Sequence, residues 1–83
     1  MERNALATEI VDFCFDYGIK GFPKDRNVAE SKVLEHLKYC RWVNWLVQTL
    51  YEARYIPNID NKRLEKLIDE LDKIKFEFEY SYE

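Results

Sequence analysis

The chain has 83 residues, of which 47% are hydrophobic, 16% aromatic and 35% charged, with only two glycines and two prolines. That balance excludes a disordered or low-complexity segment and leaves room for one domain around one core, residues 1–83. The net charge of −3 argues against a general nucleic-acid binder, which would carry a basic balance or a basic face.

The start, Met1-Glu2-Arg3-Asn4, has no apolar run followed by small residues, so no secretory signal is expected and the reading is cytoplasmic. Two cysteines in such a compartment are expected as free thiols. The first predicted helix spans about Ala5 to Tyr17, with Asn4 as N-cap. Leu6, Ile10, Phe13 and Tyr17 recur along it at helical spacing. Gly18 is the expected left-handed stop. A loop over residues 19–26 follows, with Phe22 expected to tuck back onto the core.

The second predicted helix begins at Val28, where Asn27 and Glu30 have the spacing of a capping box. It continues to about Tyr55, because Pro57 stops it. At 28 residues it would be about 42 Å long, and a kink inside it would be no surprise. A third, amphipathic helix starts near Asp60 and carries its apolar stripe on Leu64, Leu67, Ile68, Leu71, Ile74 and Phe78. The last residues read two ways. Phe76, Phe78, Tyr80 and Tyr82 alternate with polar residues as a strand would, but a lone strand has no partner in this chain. Helix to about Phe78, followed by an aromatic tail over 79–83, is the reading adopted. The fold class is thus all-α: a small three-helix unit with a short first, a long central and an amphipathic last helix, completed in one reading by dimerisation.

The central helix carries the functional argument. Arg41, Asn44, Gln48 and Glu52 make one narrow polar stripe, and nearly everything else between Tyr39 and Tyr51 is apolar. Two neighbouring helices cover roughly two faces, so a third would be left for another chain. The competing reading places both tryptophans in the core of a helical hairpin. The uncharged run Trp42–Tyr51 is only ten residues, about half a membrane span, so no membrane partner is expected.

No residue set announces catalysis. His36 and Cys40 lie four apart, but a structural zinc needs four ligands and no second pair exists, so no metal is expected. A Cys14–Cys40 disulfide is unlikely on helix register, the two lying about 13 Å apart along the axes of an antiparallel hairpin. No cofactor loop is present, and the lone Gly21 is not a phosphate-loop motif. Lys20, Lys24 and Arg26, just before the central helix, are the candidates for an anion contact, with ordinary loop charges as the plainer reading. The C-terminal end concentrates acidity, with Asp69, Glu70, Asp72, Glu77, Glu79 and Glu83 against Lys73 and Lys75. Acids interleaved with aromatics there suit a basic groove on a partner.

The expected function is a small non-enzymatic protein-interaction module, homo-oligomeric, that binds and modulates or inhibits a larger protein. Its contact residues would be Trp42, Trp45, Tyr51, Phe76, Glu77, Phe78, Glu79 and Tyr80. The alternative is a small nucleic-acid-binding regulator working through Lys20, Lys24 and Arg26. In style (small, aromatic-rich and motif-poor) the chain is similar to phage or mobile-element accessory proteins that modulate a larger enzyme, although no motif carries that likeness.

Overall fold

The computed structural model describes residues 1–39 and 41–80, and the side chains of all of these except 78–80. Among the described residues every regular element is helical. There are four helices: α1 Arg3–Asp16, α2 Arg26–Tyr39, α3 Val43–Ala53 and α4 Asn61–Tyr80. The three-helix count is therefore corrected. The predicted helix over 28–55 is two helices, separated between Tyr39 and Val43.

Helical phase explains the break. Ala29, Val33 and Leu37 are the buried residues of α2, and Val43, Leu46, Leu50 and Ala53 those of α3. On one straight helix at 100° per residue, the centres of these two sets would lie about 120° apart. A single straight rod could not turn both toward the same core. The chain resolves the conflict at Trp42, which takes φ 63° and ψ 15° and stands at the N-cap of α3. The Arg41 N–H donates to the His36 carbonyl at 3.1 Å, the long-reach bond that closes a helix C-terminus.

α1 packs on α2, α3 packs on α4, and the two pairs meet where α1 lies against α4. Leu6, Ile10, Phe13, Leu37, Leu46, Leu50, Leu67 and Leu71 are fully buried in one cluster that draws on all four helices. Phe22 is half-buried against that cluster, as the sequence predicts.

The two pairs are also fastened by polar contacts along α1 and α4. The Tyr17 hydroxyl accepts a hydrogen bond from the Asp60 backbone N–H at 3.0 Å, and Arg63 pairs with Asp16 at 3.0 Å. The Arg63 guanidinium also lies 5.4 Å from the centre of the Phe13 ring, which in turn packs on Tyr17 with centroids 4.8 Å apart. At the other end, Arg3 reaches Glu77 at 3.3 Å and the Met1 amine reaches Glu70 at 3.1 Å. That amine, followed by Lys73, holds the Glu70 carboxyl below its ordinary value.

The helix starts correct two predicted caps. α1 begins at Arg3, so Asn4 lies inside it, and Glu2 at the N-cap makes no side-chain cap bond. At α2 the cap is Asp25 rather than Asn27: its carboxylate accepts from the N–H groups of Asn27 at 2.8 Å and Val28 at 3.2 Å. A carboxylate also complements the positive end of the helix, which a neutral amide does less well. Asp25→Ala should therefore cost about 1 kcal/mol in denaturant unfolding and Asn27→Ala clearly less. The reverse order would restore the capping-box reading.

Two other boundaries stand where the sequence places them. Gly18 has φ 64° after α1. Asp60 caps α4 by accepting from the Arg63 N–H at 3.1 Å. Between α3 and α4, Pro57 and Asn58 form a tight turn in which the Ile59 N–H reaches the Ile56 carbonyl at 3.3 Å. Asn58 there has φ 63°, a conformation asparagine tolerates. The backbone of α4 continues through Tyr80, two residues past the predicted end. The predicted tail at 81–83 lies outside the described residues.

Candidate interaction surface

The large hydrophobic side chains left exposed are mostly aromatic, and Tyr39, Trp42, Trp45, Tyr51 and Tyr55 lie on α3 or flank it in the chain. Tyr55 is 82% exposed, Tyr39 67% and Trp42 66%, while Tyr51 and Trp45 are 38% and 37% exposed. The sequence singles out Trp42, Trp45 and Tyr51, but Tyr39 and Tyr55 are more exposed than any of these. Both were hidden by the long-helix reading, which treated them as ordinary positions on one rod. They are instead the last residue of α2 and the second residue past α3.

The predicted residues do not form one patch. Trp45 and Tyr51 are six positions apart, which places them about 120° apart around α3. Trp45 faces the loop after α1. Its ring packs on Phe22 with centroids 5.4 Å apart, and it closes over Gly21. Beside it lies an open groove of about 450 Å³ between α3 and that loop, lined by Ile19, Lys20, Thr49, Glu52 and Ile56 among others. Trp45 is therefore half a core residue that pins the loop, with one face left to solvent. Tyr51 points to the other flank, where the Arg54 guanidinium sits 5.0 Å from its ring centre.

Among the described residues, Trp42 and Tyr39 have no such ring partner. They bracket the break between α2 and α3, with the exposed Arg41 between them. Trp, Tyr and Arg are the residue types that most often anchor protein contacts.

The acidic end is partly neutralised within the chain. Glu77 pairs with Arg3, and Glu70 with the Met1 amine and with Lys73 at 3.5 Å. Phe76 is exposed. The side chains of Phe78, Glu79 and Tyr80 lie outside the described residues. The three loop cations have different surroundings. Arg26 is the first residue of α2, forms an ion pair with Asp12 and lies over the Phe15 ring at 5.1 Å. Lys20 borders the groove beside Trp45, and Lys24 is exposed.

Among the titratable groups, burial pushes the Cys14 thiol up to about 12, against a smaller opposing pull from Arg63. A protonated, buried thiol is not a nucleophile at neutral pH. In a Cys40→Ser chain, Cys14 should resist alkylation in the folded state and react once the protein unfolds. Stability should fall as pH rises from 9.0, the thiol's ordinary value, toward about 12. Across that window the unfolded thiol loses its proton and the folded one keeps it. A flat stability profile, or fast native alkylation, would contradict the burial of Cys14. Burial lowers the His36 pKa, opposed by Glu35 and helped by Lys32 and Arg41. Its predicted companion Cys40 lies outside the described residues. Among the described residues, no three His, Cys, Asp or Glu side chains converge on a point that could hold a metal. No helix among them is long and apolar enough to cross a membrane.

No family model matches the chain, and no curated protein or solved structure matches it.

Proposed function

We propose that this chain is a small non-enzymatic interaction module that binds and modulates a larger partner protein through Tyr39, Arg41 and Trp42. The observation that supports this reading is the exposure of Tyr39 and Trp42 at a helix break where no ring among the described residues packs on them. Apolar rings left in water oppose solubility and contribute little to this fold, so a use outside the fold explains them better than packing does. The negative net charge and the engagement of Arg26 by Asp12 favour a protein partner over a nucleic acid.

The test is site-specific photo-cross-linking in cells. A benzophenone side chain at position 39 or 42 is expected to give a discrete adduct with a second polypeptide. The same group at Glu65 or Asp69, exposed on α4, is expected to give none. Adducts of equal yield from all four positions, or from none, would remove the proposal.

A further inference from the structure

The segment between Pro23 and Pro57 contains neither glycine nor proline, yet the helix breaks inside it. Trp42 occupies the left-handed region at φ 63°, where a bulky side chain is a genuine outlier. Asn58, at the same angle, is a residue that adopts it readily. Trp42 also supplies no side-chain cap to α3, whose first hydrogen bond is from the Leu46 N–H to the Trp42 carbonyl at 3.0 Å. Continuing the helix through the break would give the N–H groups of Val43, Asn44 and Trp45 carbonyl partners four residues back. The left-handed Trp42 and the three amides of residues 43–45 are thus local backbone terms that favour a straight helix over a broken one.

Those tertiary contacts sit between two halves of the molecule. The pair α1–α2 and the pair α3–α4 each pack internally, and they meet through α1 against α4, with the Tyr17–Asp60, Asp16–Arg63 and Arg3–Glu77 contacts along that seam, and where Trp45 packs on Phe22 of the loop after α1. Apart from the residues of the break, no chain segment joins the halves. If the break straightens, the two apolar faces point about 120° apart at the two ends of a helix of about 42 Å. The seam of one chain can then be remade only with the halves of a second copy.

We infer that this protein forms a domain-swapped dimer. In it α2 and α3 fuse into one helix, and α1–α2 of each copy packs on α3–α4 of the other. Short hinges under strain are the usual route to such exchange. The seam contacts are the same in both forms, so the hinge sets the balance between them. This inference is independent of the partner-binding reading above.

The experiment compares Trp42→Gly with Trp42→Ala by light scattering on a size-exclusion column over a range of concentrations, together with amide hydrogen exchange. Glycine relieves the left-handed strain and weakens a continuous helix, whereas alanine does the opposite. The difference is about 30-fold per chain and on the order of a thousandfold in the dimer constant, because two hinges take part. Trp42→Ala is expected to dimerise at least about 100-fold more tightly than Trp42→Gly, with the natural sequence between them. In the dimer, the amides of residues 43–45 should become protected from exchange. The inference is overturned by equal dimer constants for the two variants. It is equally overturned if Trp42→Ala stays monomeric at its highest soluble concentration, or if its dimer leaves those three amides unprotected. Photo-adducts from position 39 are read separately, so a failed swap leaves the partner reading intact and a missing adduct leaves the swap intact.

Discussion

Phe13→Ala is expected to lower the unfolding free energy by about 3–5 kcal/mol, the largest loss of any single truncation considered. The ring is fully buried, stacks on Tyr17 and carries the Arg63 guanidinium over its face. Truncating a buried phenylalanine costs about 3–5 kcal/mol in transfer and cavity terms. A chain of this size has only about 4–12 kcal/mol in total. The loss extends beyond the cavity, because Arg63 loses the surface it stacks on while still tied to Asp16. The same substitution therefore loosens the seam where α1 meets α4. Denaturant unfolding followed by far-ultraviolet circular dichroism reads the effect. A midpoint within about 0.5 kcal/mol of the natural sequence, the range of a surface change, would mean that Phe13 does not organise this seam.

The second large effect is expected at Gly21. Its φ of 106° lies outside the range that residues with a β-carbon adopt readily, and a β-carbon built there would stand 2.8 Å from the Trp45 ring. Gly21→Ala must therefore strain the backbone and push the indole off the loop, at a cost of about 2–4 kcal/mol. Gly18 is the internal control. It also has positive φ, at 64°, but nothing lies within 4 Å of the added carbon. Gly18→Ala should cost only about 1 kcal/mol. The pair separates space from backbone angle, since only Gly21→Ala should also shift the tryptophan emission to the red. Equal destabilisation at the two sites, with unchanged emission, would show that Trp45 does not rest on Gly21.

What the sequence made legible is the local chemistry of helix ends and faces. Gly18 stops α1, Asp60 starts α4, and the stripe from Leu64 to Ile74 lies inward. Each depends on residues within a few positions of one another, so a linear reading can find it. The break at Trp42 was not legible in the same way. No glycine or proline marks it, and apolar residues on nearly every face between Tyr39 and Tyr51 masked the phase shift between Val33–Leu37 and Leu46–Leu50. The signal was present, but separating it required knowing which apolar residues turn inward. The cap at α2 failed for a smaller reason: Asp25 and Asn27 are both capping types two positions apart, and Glu30 drew the reading to the wrong one. The polar contacts of Arg63 and Tyr17 were not legible because their partners, Asp16 and Asp60, are more than 40 positions away.

The same distinction governs the candidate surface. An excess of aromatic residues can be counted from the sequence, but their division between core and surface depends on the break. Trp45 proved to be largely committed to Phe22 and Gly21, whereas Tyr39, Trp42 and Tyr55 stand outside. The proposed contact role of Tyr39 and Trp42 requires that these exposed rings, like that of Tyr55, contribute little to folding. It is tested most directly by denaturant unfolding of the triple variant Tyr39→Ser, Trp42→Ser, Tyr55→Ser. The predicted result is retained helical dichroism and a stability within about 1 kcal/mol of the natural sequence, the range of surface changes. A loss above about 3 kcal/mol, the scale of core truncations, would place these rings in the core and contradict their use as a contact surface.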